Sequence, residues 1–305
     1  MRIGVIGCGD IFKRKWLAIF LENKSVELVG VARRTIDVHE KRFHQIEGYE
    51  KFENHEVDIV YIALPNSLHY EIAKHYLNKG INVWVEKPTT ISLKKTVNLI
   101  NLAKKNNLFV LESLQWKYHK RTHELKKIIK KDRPYLIDII FTVPSFSNSN
   151  IRYNNRLSGG ACLDLGSYPC SVISNFFPNE DFELLNIFNF KSEKKNIDLG
   201  ASGSFISSKQ DLVVKFYYSF DKYYQSSLSI HSKKGKFTIN QPFTIGSGED
   251  AIITNNYNTN LTEIKFSDCH FKRLLDYILR NPDKEEINNE TLKQAETLNK
   301  LILRL

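Results

Sequence analysis

Through residue 112 the chain alternates short apolar runs with stretches whose apolar residues recur every three or four positions. Arg2–Ile6 reads as a strand, and Trp16, Leu17, Ile19, Phe20 and Leu21 follow it at helical spacing. Val26–Ala32 is a second strand. The pattern then predicts a helix over Val38–Ile46 and an extended piece around Tyr49–Phe52. Asp58–Leu64 is a third strand, stopped by Pro65, which has no N–H to give a ladder. Asn66 or Ser67 can cap the next helix, whose apolar face is Ile72, Ala73, Tyr76 and Leu77, and Gly80 suits its C-terminal end. Val83, Trp84 and Val85 form a fourth strand that halts at Glu86-Lys87-Pro88. A helix over Leu93–Lys105 and a strand over Leu108–Leu111, ending at Glu112, complete the series. Runs this apolar are covered on both faces, and strands alternating with helices predict a doubly wound parallel sheet.

Beyond residue 113 the texture changes. Tyr118–Lys131 has helical spacing, and Tyr135–Val143 is a long strand. A polar loop rich in Ser and Asn leads to Gly159-Gly160. From Glu183 to Lys236, β-forming runs are separated by Gly, Ser, Lys and Asp turns, which suits a mostly antiparallel sheet. Asn255–Thr262 reads as a polar loop, and helical patterns cover Phe271–Leu279 and Leu292–Leu305. The expected class is α/β plus α+β. A Rossmann-type doubly wound parallel sheet occupies residues 1–117, and a mostly antiparallel sheet with helices on one face occupies residues 118–305. The aromatics Phe216, Tyr217, Tyr218, Phe220, Tyr223 and Tyr224 are too dense for one buried face, which leaves a helix platform, a subunit interface or surface tyrosine as readings.

Composition narrows the picture. The 305 residues are 42% hydrophobic, enough for real cores. No apolar run nears the roughly 18 residues that span a bilayer, so no membrane partner is expected. Cys8, Cys162, Cys170 and Cys269 form neither a CxxC pair nor a Cys/His cluster, which predicts reduced thiols, a cytoplasmic protein and no metal site. The net charge of +10 raises nucleic acid as a partner. Its lysines are dispersed and no nucleic-acid motif is present, so a solvated basic surface is expected instead.

Candidate chemistry lies at the strand ends. Gly7-Cys8-Gly9-Asp10-Ile11-Phe12 is the dinucleotide fingerprint GxGxxG with its third glycine replaced by Phe12. Gly7 allows the tight turn, and Gly9 lets the backbone approach a pyrophosphate at the helix N-terminus. Phe12 must point elsewhere, and lying over the cofactor is one option. Where an NAD site keeps an acidic residue for the ribose 2′-OH, this chain has Arg33 and Arg34. Guanidinium groups suit a 2′-phosphate, so NADP(H) is expected over NAD(H). The plain alternative is two solvated arginines.

The segments Val57–Ala73, Gly80–Ser92 and Leu108–Ser113, with the glycine loop before them, resemble the Gfo/Idh/MocA family of oxidoreductases. The matching marks are D-x-V-x-I-A-x-P-N-x-x-H, then a strand ending in E-K-P. A second mark, G-G-x-L-x-D-x-G-x-H/Y, is matched by Gly159–Tyr168 apart from Cys162 at its leucine position, with tyrosine where most members have histidine. The resemblance implies a nicotinamide-dependent enzyme that interconverts a hydroxyl and a carbonyl on a sugar or sugar derivative, a nucleotide-sugar ketone included. It implies that Lys87 touches nicotinamide ribose and substrate, and that the Lys87–Pro88 bond is cis. Tyr168 is the expected proton donor or acceptor, and Asp164, four residues before it, holds Lys87 or a substrate hydroxyl. Leu64, Pro65, Asn66, His69, Glu86 and Pro88 complete the expected cofactor contacts, with Glu112 as a weaker candidate. Arg152 and Arg156, in the polar loop, are candidates for a phosphate or carboxylate of the substrate. His119 reads as structural. A homo-oligomer, dimer or tetramer, through the second sheet is also implied. Alternative readings are a non-catalytic NAD(P)-binding sensor of the same fold and a dihydrodiol-dehydrogenase-like enzyme.

Overall fold

The computed structural model describes residues 1–192, 196–207, 209–246, 248–257 and 260–305. The chain forms two compact units, Met1–Leu114 with Leu275–Ala295, and Gln115–Leu274 with Glu296–Leu305.

The first unit holds β1 (Arg2–Ile6), then a π-helical turn over Phe12–Trp16 that continues into α1 (Leu17–Glu22). It continues with β2 (Glu27–Arg33), β3 (Gln45–Glu47), β4 (Ile59–Ile62), α2 (His69–Asn78), β5 (Asn82–Glu86), α3 (Leu93–Lys105) and β6 (Val110–Ser113). The sheet order is β3-β2-β1-β4-β5-β6, with every neighbouring pair parallel. All four residues of β4 are buried, as are Val83, Trp84 and Val85 of β5. This is the doubly wound sheet that the apolar runs predict. Chain order reverses between β1 and β4, and the carboxyl ends of strands at such a reversal are where open α/β sheets bind ligands.

Two expectations in this unit are corrected. Residues 38–46 form no helix; they run as a loop into β3, and Val38 is exposed. The extended piece is Gln45–Glu47 rather than Tyr49–Phe52, and Phe52 packs in the core.

The second unit opens with α4 (Lys120–Asp132) and β7 (Leu136–Thr142). A π-helical turn over Cys162–Gly166 leads into α5 (Ser167–Phe176). Then come β8 (Glu183–Ser192), β9 (Ile197–Ser207), β10 (Leu212–Ser219), β11 (Gln225–Ser232), β12 (Gly235–Asn240), β13 (Asp250–Tyr257) and β14 (Asn260–Ser267). Their order is β14-β13-β12-β11-β7-β10-β9-β8, antiparallel except for the parallel β7–β10 pair. In β11 Ser226, Leu228, Ile230 and Ser232 alternate inward, as one covered face requires. Phe216, Tyr218 and Phe220 are buried, whereas Tyr223 and Tyr224 are exposed. Leu185 and Phe188 on β8 and Leu261 and Ile264 on β14 are exposed. The polar stretch around 255–262 belongs to the β13–β14 hairpin, not to a loop, although residues 258–259 lie outside the described residues.

Helices α6 (His270–Leu279) and α7 (Lys284–Ile302) end the chain. The last helix begins eight residues before the expected start. Asp283 Oδ1 caps it by accepting from the Glu285 and Glu286 amides. Its first turns cover the edge of β6. Asn288 accepts from the Val110 amide and donates to the Leu108 carbonyl, and the Thr291 hydroxyl donates to the Val110 carbonyl. An edge strand so covered offers no free template for another chain.

Candidate functional site

Gly7 sits at the end of β1 with φ +95°, and a Cβ there would lie 2.5 Å from the Ala63 carbonyl oxygen. No side chain fits that turn. Gly9 differs: it is exposed, and the nearest atom to a Cβ there is the Ala63 oxygen at 3.6 Å. The chain's own packing does not require a glycine at this position. Asp10 is exposed and Ile11 half-buried at the start of the helix. Phe12 turns inward, fully buried against Phe20 and Phe43. The option of its ring lying over a cofactor is corrected, because the missing third glycine is absorbed by the core.

At the carboxyl end of β2, Arg33 Nη1 donates to Gln45 Oε1 at 2.7 Å, and its neighbour Arg34 is exposed. Leu64, Pro65 and Asn66 follow β4 and are half-buried. His69 is fully buried, its ring nitrogens 2.9 Å from the carbonyl oxygens of Pro88 and Leu64. Burial lowers its pKa. The expectation that His69 touches cofactor is corrected, since the ring is fully buried and its nitrogens face backbone carbonyls, to one of which the neutral imidazole donates. The imidazole instead ties the turn after β4 to the turn after β5.

The second turn carries Lys87, half-buried, with a cis bond to Pro88. Its base is an aromatic wedge in which Trp16 and Tyr61 each lie 4.5 Å, centroid to centroid, from Trp84. Such pairs add roughly 0.5–1.5 kcal/mol each beyond burial. The Tyr61 hydroxyl donates to Glu86 Oε1 at 2.6 Å, and Trp84 Nε1 donates to the Ser113 hydroxyl at 3.0 Å. Burial raises the Glu86 pKa. Thr89 donates to the buried Glu112 carboxylate at 3.1 Å, which fixes the far side of the turn. Glu86 and Glu112 thus brace the turn that presents Lys87.

In the second unit, Asp164 and Tyr168 lie on successive turns of the segment Cys162–Phe176. The paired glycines before it have a steric cause. Gly160 has φ +108°, and a Cβ there would strike the Asp198 carboxylate. That carboxylate, on β9, accepts from the Cys162 amide at 2.6 Å and so caps the helix start. Asp198 is not visible as a site residue in the sequence; the second glycine is its only trace there. Gly166 admits the Tyr218 ring, which would lie 3.0 Å from a Cβ. Asp164 Oδ2 accepts from Arg152 Nε at 2.6 Å, and the Arg152 guanidinium also lies over the Phe146 ring at 4.8 Å. Arg156 is exposed. The Tyr168 ring is half-buried between Phe243 at 4.8 Å and Phe141 at 4.9 Å. His119 caps α4 by accepting from the Arg121 amide, and burial pushes its pKa down to about 4. It is neutral and structural. Among the described residues no group of three or more His, Cys, Asp or Glu is placed to hold a metal ion, and no helix is long and apolar enough to cross a membrane.

A parallel sheet in this order, with a glycine turn at its reversal point, defines a dinucleotide-binding domain. Residues 1–113 match the model of the Gfo/Idh/MocA oxidoreductase family, described as an NAD-binding Rossmann fold. Among curated proteins, the chain is 27% identical to dTDP-3,4-didehydro-2,6-dideoxy-alpha-D-glucose 3-reductase of Saccharopolyspora spinosa, over 83% of this chain and 78% of that one. It is 33% identical over a shorter span to scyllo-inositol 2-dehydrogenase (NADP(+)) IolU of Bacillus subtilis, covering 36% of each chain. Among solved structures it resembles KijD10, a 3-ketoreductase from Actinomadura kijaniata, in complex with NADP and TDP-benzene. That match has a TM-score of 0.90 at 22% identity and covers 98% of this chain and 96% of the other.

Proposed function

We propose that this protein is an NADPH-dependent oxidoreductase that reduces a ketone on a nucleotide-linked sugar, with Lys87 and Tyr168 as its catalytic residues and Asp164 as a positioning residue. The observation that carries the reading is the alignment with a dTDP-sugar 3-reductase, whose span of 83% of the chain includes both Lys87 and Tyr168. Gly9 supports the cofactor. Its own fold would accept a side chain, and a glycine there would let a pyrophosphate approach the backbone. Arg33 and Arg34, at the end of β2, supply charge for a 2′-phosphate.

When bound, NADPH supplies the hydride that reduces the carbonyl carbon. Tyr168 gives its phenolic proton to the carbonyl oxygen, as general acid. Lys87 brings a cation that makes the phenol more acidic and stabilises negative charge gathering on that oxygen. Asp164 orients Arg152 through their ion pair, and Arg152 with the exposed Arg156 meets the diphosphate of the substrate. Leu64, Pro65 and Asn66 would line the cofactor beside the glycine loop.

The test is to mix the protein with NADPH deuterated at the transferring position and a dTDP-linked 3-keto-6-deoxysugar. Deuterium in the reduced sugar, detected by mass spectrometry and slower to appear with unlinked ketoses, is the expected result. NADPH binding without transfer to any ketone tried would leave a sensor of the same fold.

A further inference from the structure

We propose that Gln45 is the positioning residue that sets cofactor preference, by orienting Arg33 for the 2′-phosphate without neutralising it. The inference rests on the NADPH reading above. Gln45 opens the edge strand β3 and pairs with Val31 of β2. Its amide makes four hydrogen bonds, which use the full capacity of both ends. Oε1 accepts from Arg33 Nη1 at 2.7 Å and from the Asp37 amide at 3.0 Å. Nε2 donates to the carbonyls of Asp37 at 2.8 Å and Glu40 at 2.9 Å. One neutral side chain therefore joins the end of β2 to both ends of the turn Asp37–Glu40.

This turn belongs to the loop that stands where a helix was expected. It lies beside the helix that follows the glycine loop, since the Phe43 ring meets that of Phe12 with centroids 5.7 Å apart. Glu40 is already paired with Arg42, whose Nε lies 2.8 Å from its carboxylate. The acceptor chosen for Arg33 is an amide oxygen, not a carboxylate. An amide fixes the guanidinium plane and leaves its full charge for an anion. The carboxylate that faces Arg33 among the described residues, Asp37, is 3.8 Å away and partly exposed, so it neutralises little. A glutamate at residue 45 would cancel the charge and set an oxygen against two carbonyls.

The experiment measures dissociation constants for NADPH and NADH by fluorescence titration, with thermal unfolding as a fold control. The proteins are wild type, Gln45→Met, Gln45→Glu, Arg33→Ala and the Arg33→Ala/Gln45→Met double variant. Gln45→Met is expected to lower the NADPH-over-NADH preference about tenfold, as loss of one charge-assisted contact would. Gln45→Glu lowers it further, and NADH binding stays within about twofold in both. In the Arg33→Ala background, Gln45→Met should change the preference no further, because the two act as one unit. Equal weakening of both cofactors would mean that Gln45 only supports the fold, and would overturn the inference. So would an undiminished Gln45→Met effect without Arg33. A wild-type protein that binds NADH more tightly than NADPH would instead overturn the cofactor reading itself, before any variant is compared.

Discussion

Replacing Tyr168 by Phe is expected to lower kcat for ketone reduction by roughly 10²–10⁴-fold, the range a positioned general acid contributes. The substitution removes one oxygen and leaves the ring, which Phe141 and Phe243 hold from two sides. The helix start is held separately, by the Asp198 cap over Gly160. Stability and the NADPH dissociation constant should therefore barely move. Single-turnover stopped-flow, following loss of NADPH absorbance, reads the chemical step directly. Near-normal turnover would hand the proton to another group.

Lys87→Met is the second large effect, a fall in kcat of roughly 10²–10³-fold, comparable with loss of one electrostatic contact to a developing oxyanion. Methionine keeps the length and apolar stem of lysine and removes the charge. The turn should keep its shape, because Pro88 is held by His69 and Thr89 by Glu112, neither of which involves the Lys87 side chain. Without the cation the phenol of Tyr168 is less acidic, so the alkaline limb of the kcat profile should move to higher pH. A profile and rate unchanged from wild type would remove Lys87 from the reaction.

Much of this is legible in the sequence. The inner strands β1, β4 and β5 of the first sheet are buried on both faces, so each reads as an unbroken apolar run closed by Gly, Pro or a charged pair. The turn at Lys87 is legible for the same reason: a charged pair and a proline halt such a run at the sheet edge where ligands bind. What escapes is held by polar side chains. The stretch 38–46 reads as a helix because Val38, Phe43 and Ile46 supply apolar positions. Local bonds from Gln45 to Asp37 and Glu40 win over the helix there. The first turns of α7 escape because their buried contacts are Asn288 and Thr291, whose amide and hydroxyl serve the edge of β6. Apolar periodicity cannot register a buried polar face. The β13–β14 hairpin reads as a loop because β14 is almost wholly exposed and shows no alternation. Asp198 and Gln45 act through contacts distant in sequence or confined to one amide, and no motif spacing marks them.

The central claim is the proposal that the Lys87 amine and the Tyr168 phenol serve the same carbonyl oxygen. A crystal structure with NADP and a bound nucleotide-sugar product tests it most directly. The account predicts Lys87 Nζ and Tyr168 Oη both within about 3.2 Å of the product's new hydroxyl oxygen. A complex in which either atom faces away from that oxygen, with the nicotinamide in place, would contradict it.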